Sequence, residues 1–510
     1  MDFLYTYCLP PIAISLAVIL LAVILLQQKN KRYPPVAGTI LHQLIYAPKL
    51  HHYMTELACK YKTYRMVDLF KFAIYTADPA NVEYMLKTNF ANYGKGLFLH
   101  NILSDALGDG IFAVDGDKWR HQRKAASSQF STNAVRDFSS EIFKTNAVKL
   151  VGIIYEAVNR DESIEIQDLF MKASLDSIVK ILLGIDLGTM CGTNNEESIR
   201  FSNAFDDANE ATLYRIADIF WKMKRFLNIG REAVMRSNLK VVDHFIYKLI
   251  KSKIEIVHNS KNELSLNKRD FISRLLKLTR ETDPKYLRDM VLSFIVAGKD
   301  TTATALSWFL YMMCKHLHVQ EKIAEEIREA TNLNNTSSSR VDELAANLTE
   351  EALKKMQYLH AALTETLRLY PTVPMDARVC FSDDTWPDGY SVKKGEMVVY
   401  QPYSMGRMEF IWGDDAEEFR PERWLDENGI FQEESPFKFI AFNAGPRICL
   451  GKEYSYMQLK IFSAVLLSSY IFKLSDETQV VNYKTMVTLH IDEGLYVHAS
   501  PRFEHARNLD

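Results

Sequence analysis

The sequence predicts a mainly α-helical protein: one large helical domain with a small β-rich part, behind a single N-terminal transmembrane helix. Three observations predict it. The chain begins with a long uncharged run. Its remaining apolar residues recur at helical spacing over long stretches. Strand-like runs are short and few.

The first element is the uncharged run. Residues 3–26 carry no charge, and 12–26 are almost all Ile, Leu, Val and Ala. About 20 apolar residues span a bilayer core. Lys29, Lys31 and Arg32 follow, and Asp2 is the only charge in front. Cations prefer the cytosolic side. The run therefore predicts an anchor over residues 1–28, with the N-terminus outside and residues 29–510 in the cytosol. A cleaved signal peptide would need a positive leading region and a small-residue cleavage site, and neither is there. On this topology the sequons at Asn334, Asn335 and Asn347 stay unmodified.

Composition excludes several classes for the rest. The 510 residues have a net charge of −3, which gives no basic excess for nucleic acid. With 47% hydrophobic and 25% charged residues, the chain is globular rather than disordered. Six cysteines without a CxxC pair exclude a disulfide framework and a cysteine-rich zinc module.

Beyond the anchor, Pro34-Pro35 stiffens the exit from the membrane. No internal repeat or low-complexity linker follows. Polar breaks near 192–197, 259–267 and 334–339 read as surface loops. Helical spacing covers 216–227, 238–257 and 287–316. Strand-like runs are 72–76 and 397–400.

The helix at 287–316 would be about 45 Å long. It is apolar nearly all round, so it should cross the core. Yet its middle reads Ala297-Gly298-Lys299-Asp300-Thr301-Thr302. Ala297 and Gly298 leave space beside the helix. Asp300 and Thr301 stand where packing would want Leu. A threonine hydroxyl can take a carbonyl of the preceding turn, so both a satisfied polar kink and a functional group fit this stretch.

Residues 442–451 read Phe-Asn-Ala-Gly-Pro-Arg-Ile-Cys-Leu-Gly. A phosphate-binding P-loop fails on glycine spacing and on Glu453 after Lys452. A zinc site fails for want of a nearby Cys or His. What remains is Cys449 in a glycine-bracketed loop before an apolar helix over 457–467. Glycines let backbone approach a flat ligand and aim N–H groups at sulfur. A lone cysteine is otherwise a small buried hydrophobe.

This ten-residue string resembles the haem-binding signature of cytochromes P450, F-x-x-G-x-R-x-C-x-G, at all five fixed positions. Other marks of that family occur in its order, from about residue 30 to the end. Residues 297–302 resemble the oxygen-activation motif of its long central helix. Glu365 and Arg368 match its E-x-x-R pair, and Arg423 the arginine that joins them. Trp119 and Arg123 match its W-x-x-x-R. Arg378 resembles a further propionate-binding position. Segments 33–36, 92–96 and 169–177 are similar to plant membrane P450s that hydroxylate fatty acids at the ω end. Lys299 stands where Arg is more usual, and Asn443 where Gln is common.

The resemblance implies a chemistry. Cys449 would bind the iron of haem b, and Phe442 would shield the sulfur. Trp119, Arg123, Arg378 and Arg447 would hold the propionates, with Ala297 against the cofactor. Asp300 and Thr301 would deliver protons. Glu365, Arg368 and Arg423 would be structural. Glu365 and Arg368 share a helix face. On the surface such a pair is worth under about 1 kcal/mol, but buried among Leu363, Leu367 and Leu369 its disruption costs about 3–5 kcal/mol.

Electrons would come from NADPH through a separate NADPH–cytochrome P450 reductase, since no flavin or nicotinamide signature occurs in this chain. Lys118, Arg120, Lys124, Lys438 and Lys452 are candidates for its docking face, or simply solvated. Phe98, Leu99, Ile111, Phe112, Phe294 and Val373 are candidates for an apolar substrate lining, or for core. The implied protein is a monomeric, single-pass protein of the endoplasmic reticulum membrane acting on a lipophilic small molecule, best a long-chain fatty acid. An alkane or terpenoid is an alternative substrate. A hydroperoxide-consuming isomerase or dehydratase, or a silent haem scaffold, are alternative classes.

Overall fold

The computed structural model describes residues 33–68, 71–130, 132–192, 196–259, 270–279, 282–332, 341–478 and 481–502. The expected anchor and the sequons at Asn334 and Asn335 lie outside these residues. Among the described residues, no helix is long and apolar enough to cross a membrane. The chain forms two compact units. One comprises residues up to 94, 375–416 and 436–447; the other comprises 95–374, 417–435 and 448 onward.

The first unit is built on a six-stranded sheet. Its strands are β1 (Val36–Thr39), β2 (Thr63–Asp68), β3 (Lys71–Thr76), β4 (Tyr93–Gly94), β5 (Asp376–Cys380) and β6 (Met397–Tyr400), in the order β1-β2-β3-β6-β5-β4. The parallel pair β1 and β2 is bridged by helix α1 (Leu50–Tyr61), as a parallel crossover requires. β2 and β3 pair antiparallel, with Tyr64 opposite Tyr75 and their rings stacked at 5.5 Å. The strand-like runs at 72–76 and 397–400 fall in β3 and β6, which pair parallel. Met54, Tyr64, Ile74, Val398 and Ala444 belong to the buried core of this unit.

The second unit is helical. The helices that matter below are α2 (Gly96–Leu107), α3 (Gly116–Phe130), α4 (Ile166–Leu183), α5 (Glu196–Ala217), α6 (Trp221–Leu227), α7 (Gly230–Asn259), α8 (Pro284–Lys315), α9 (Gln357–Leu369) and α10 (Lys452–Ser469). α8 starts three residues before the apolar spacing suggests. Asp283 caps it by accepting the Lys285 N–H, and Pro284 occupies its first turn. The helix expected over 216–227 is broken in two. Asp218 accepts the Phe220 N–H at 3.0 Å, a local turn that competes with the helical bond. Apolar residues of α4, α5, α7 and α8 form the core, among them Val179, Phe205, Ile246 and Ile295.

Gly298 corrects one expectation. The room beside it holds no ligand-sized gap, because a Cβ there would meet Ile178 Cγ1 at 2.7 Å. Its hydrogen side chain is what lets α4 press against the middle of α8.

The C-terminal segment is tied down at three points. Leu489 O accepts from Trp308 Nε1 at 2.6 Å, and the Leu489 N–H donates to Thr372 O. The Ile491 N–H donates to Gln167 Oε1 at 2.9 Å.

Candidate functional site

The cysteine loop runs from the first unit into the second, with the change between Arg447 and Ile448. In the first unit, Gly445 has φ +64 and lies so near Leu86 that a Cβ would overlap its carbonyl oxygen. Only glycine fits there. Asn443 precedes it at φ +60, a region where Asn is favoured. Asn443 Oδ1 accepts from the Tyr400 hydroxyl at 3.1 Å. The hydroxyl's single proton is shared with Asp376, at 2.7 Å, and its oxygen accepts from Arg378 at 3.2 Å. Arg378 is buried and braced by Asp376 at 2.7 Å. So Arg378, Asp376, Tyr400 and Asn443 form one network, with Phe442 and Arg447 half-buried on the same loop.

In the second unit, Cys449 keeps accessible surface although protein surrounds it densely. Burial pushes the thiol pKa above its ordinary value. Three features oppose this: the Gly451 amide, and the positive charges of Arg123 and Lys452. Lys452 also pairs with Glu433. Arg123 and the buried Trp119 share a face of α3 and line an open cleft with Arg120, Lys124, Ser127 and Ser128. Lys118 is paired with Asp109 and Arg120 with Asp117, while Lys438 belongs to the first unit.

α8 remains an unbroken helix through 297–302. Thr301 Oγ1 donates to Ala297 O one turn back. This is the back-bond that the threonine permitted, and the helix continues through it. Lys299 is buried and pairs with Asp206 of α5. Its second anionic neighbour is Asp300, at 3.5 Å. Burial alone would lower the Lys299 pKa, but Asp300 and Asp206 together hold it above the ordinary value.

The pair on α9 is fully buried. Arg368 grips Glu365 at 2.7 and 2.8 Å, and Arg423 Nε reaches the same carboxylate at 3.3 Å. Trp424 Nε1 and the Arg420 N–H also donate to it, at 2.8 and 3.0 Å. Arg368 spends a further donor on Glu418 O.

The substrate candidates divide. Phe112 and Phe98 are partly exposed, Val373 is half-buried, and Leu99 and Ile111 are buried. Phe294 is buried, and its ring packs edge-on against Phe130 at 5.5 Å and Phe271 at 5.2 Å. Sequence reasoning missed Asp206 and His490, whose placement near Asp300 depends on how distant segments pack. The one available signal was the buried lysine beside Asp300, which demands an anion from elsewhere.

A family model described as Cytochrome P450 matches residues 32–497. The chain is 50% identical to Cytochrome P450 704C1 of Pinus taeda over 489 residues, covering 93% of each chain. It is 42% identical to Cytochrome P450 704B1 of Arabidopsis thaliana over 506 residues, covering 93% of this chain and 96% of the relative. Against Cytochrome P450 86B1 of Arabidopsis thaliana the identity is 38%, over 83% of this chain and 76% of the relative.

Proposed function

Because this chain belongs to the cytochrome P450 family, we propose that it hydroxylates the ω end of a long-chain fatty acid. As a P450 monooxygenase it uses haem b, takes electrons from a redox-partner reductase and acts on a lipophilic substrate. When bound, the haem activates O₂ for insertion into a C–H bond.

The chain's own residues do the rest. Cys449 holds the iron through its sulfur. A deep sulfur, an amide aimed at it and two nearby cations are the setting a thiolate ligand needs. Burial pushes the thiol pKa up, and the Gly451 amide, Arg123 and Lys452 would favour the thiolate that a bound iron calls for. Trp119, Arg123, Arg378 and Arg447 bind the propionates. Arg378 is oriented for this by Asp376 and Tyr400. Phe442 covers the sulfur, and Ala297 offers a small flat surface. Asp300 and Thr301 would deliver protons to the reacting centre, with Thr301 holding a water. Phe112 and Val373 present apolar surface to an acyl chain and exclude water.

The observation that carries the substrate reading is the likeness of residues 33–36, 92–96 and 169–177 to plant ω-hydroxylases. The intact Asp300–Thr301 pair favours a monooxygenase over an isomerase. The experiment is a titration with saturated fatty acids of rising length, read as the Soret shift and followed by product analysis. Terminal alcohols made with NADPH and O₂ support the reading. A Soret shift only with alkanes or terpenoids replaces the substrate. Turnover of a lipid hydroperoxide without NADPH replaces the reaction class. Cys449→Ser should abolish the long-wavelength carbon monoxide band.

The same reading makes the protein a single-pass monomer of the endoplasmic reticulum membrane, anchored by residues 1–28 and reduced by NADPH–cytochrome P450 reductase. Exposed apolar side chains support a lipid-facing surface. Ile219, Phe220, Met223 and Phe226 are all more than half exposed, Phe226 by 88%, and Lys222, Lys224 and Arg225 lie among them. Protein lacking residues 1–28 should still sediment with anionic vesicles, and Phe226→Glu should weaken this several-fold.

A further inference from the structure

α2 ends at Leu107 and α3 begins at Gly116. The short stretch between them carries Ile111 and Phe112, and its backbone lies directly against α8. Gly108 follows α2 at φ +56, so near Asp289 that a Cβ would overlap the carboxylate. The Asp109 N–H donates to Asp289 Oδ2 at 2.9 Å. Gly110 rests on Ser293, one turn further along α8, where a Cβ would meet Oγ at 2.1 Å. A side chain fits at neither glycine.

From Gly110 the chain folds into a turn, closed by the Ala113 N–H on Gly110 O at 2.9 Å. Ile111 and Phe112 are its two central residues. Ile111 and Ala113 are buried, while Phe112 is 39% exposed. The turn therefore presents one large apolar side chain and hides its neighbours.

Asp289 is itself held in place. It is buried, and Arg288 donates to its Oδ1 at 2.9 Å. Arg288 also pairs with Asp243 of α7 at 2.7 Å. From the other side, Gln122 of α3 donates to Asp109 O at 2.6 Å. Swinging the carboxylate away from the Asp109 amide would disturb a buried ion pair, which is costly.

α8 runs without a break from Asp289 through Thr301. Ser293, Ala297 and Thr301 follow at steps of four residues, and about 12 Å of helix separates the first from the last. A turn seated on Asp289 and Ser293 thus stands at a fixed distance from the residues assigned above to the reacting centre.

We propose that Asp289 is a positioning residue that sets regiochemistry: it seats the 110–113 turn so that Phe112 meets the acyl chain where only the terminal carbon reaches the reacting centre. This rests on the reading that a fatty acid lies against Phe112. Slipping the turn by one helical rise, ~1.5 Å, is comparable to the spacing of neighbouring chain carbons. The penultimate carbon would then compete.

The test uses the full-length holoenzyme with its reductase, as wild type, Phe112→Ala, Asp289→Leu, Asp289→Asn and Gly110→Ala. The substrate is the saturated fatty acid that shifts the Soret band most. Asp289→Leu keeps the bulk but accepts no hydrogen bond. Gly110→Ala pushes the turn off Ser293 and leaves every ion pair in place. In both, the ratio of terminal to in-chain alcohol should fall about tenfold, since a displacement of about 1 Å can cost up to roughly 10²-fold in rate. The carbon monoxide band should stay, and amide exchange over 108–113 should quicken in Asp289→Leu. Asp289→Asn still accepts the Asp109 N–H and should restore most of the ratio. Wild-type ratios in Asp289→Leu and Gly110→Ala would overturn the proposal, and so would a loss that Asn does not restore. If Asp289→Leu does not fold, Gly110→Ala decides. If Phe112→Ala keeps the wild-type ratio, or wild type itself makes no terminal alcohol, the fault lies with the substrate reading, and the proposal falls with it.

Discussion

Two buried charge clusters in the helical unit invite comparison. Around Glu365, both carboxylate oxygens receive donors, from Arg368, Arg423, Trp424 and the Arg420 amide. Around Asp300, the Lys299 ammonium stands 3.5 Å from Oδ1 and pairs more closely with Asp206. The first cluster is closed and the second is open toward solvent through Asp206. A closed cluster can only hold the chain together. An open one can exchange protons with solvent, and its charge balance rests on one lysine shared between two acids.

The largest expected effect falls on the closed cluster. Glu365→Gln leaves Arg368 and Arg423 without their anion in a site with no accessible surface. Breaking a buried pair from one side costs about 3–5 kcal/mol. The variant should unfold at a markedly lower temperature and lose haem on purification. If it melts like wild type, the closed cluster is not the lock described here.

Asp300→Asn probes the open cluster and should do the reverse. Removing a positioned proton donor lowers turnover by roughly 10²-fold. The amide also leaves Lys299 its main partner Asp206, so the thermal midpoint should barely move. A large drop in stability with little change in turnover would erase the distinction between the two clusters.

The two clusters also differ in how far sequence reveals them. Glu365 and Arg368 are three residues apart on one helix, so their pairing is readable from spacing alone. Their apolar neighbours further imply burial. Cys449 is readable for a similar reason, since its loop is contiguous. Lys299 and Asp206 are 93 positions apart, and no local pattern joins them. His490 stands near Asp300 only because Trp308, Thr372 and Gln167 fix its segment. The strands at 72–76 and 397–400 were legible as strands, but not as parallel neighbours. Side-chain turn chemistry explains the break at Asp218, which apolar spacing does not register.

Gly298 shows where spacing misleads. A small residue in the middle of α8 suggests space beside the helix, yet Ile178 fills it. Gly298→Ala should therefore cost about 1–3 kcal/mol through overpacking. Adding Ile178→Val should recover part of that loss, measured by denaturant unfolding. If Gly298→Ala is neutral and no recovery is seen, α4 and α8 are not in the close contact inferred.

The smallest effect comes from a third buried charge, Lys460 of α10. Its Nζ donates to Leu353 O at 2.7 Å and Met356 O at 3.0 Å. These carbonyls end one helix just before Glu326 caps the start of α9 by accepting the Tyr358 and Leu359 amides. Lys460 resembles Glu365 in being satisfied, but its partners are neutral carbonyls with only distant anions. Burial accordingly lowers its pKa from 10.5 to about 8, against the pull of Glu326 and Glu453. The unfolded chain keeps this proton up to about pH 10.5 and the folded protein releases it near 8. Between those values the unfolded state binds more protons, so this group makes stability rise with pH. A neutral amine still donates to both carbonyls, so deprotonation removes the charge and keeps the bonds. Lys460→Met should flatten that rise. The gap in urea midpoint between wild type and variant should widen from pH 7.5 to 9.5 if Lys460 sheds its proton in the folded state. Parallel midpoints across that range would mean that Lys460 stays charged, compensated as fully as Arg368.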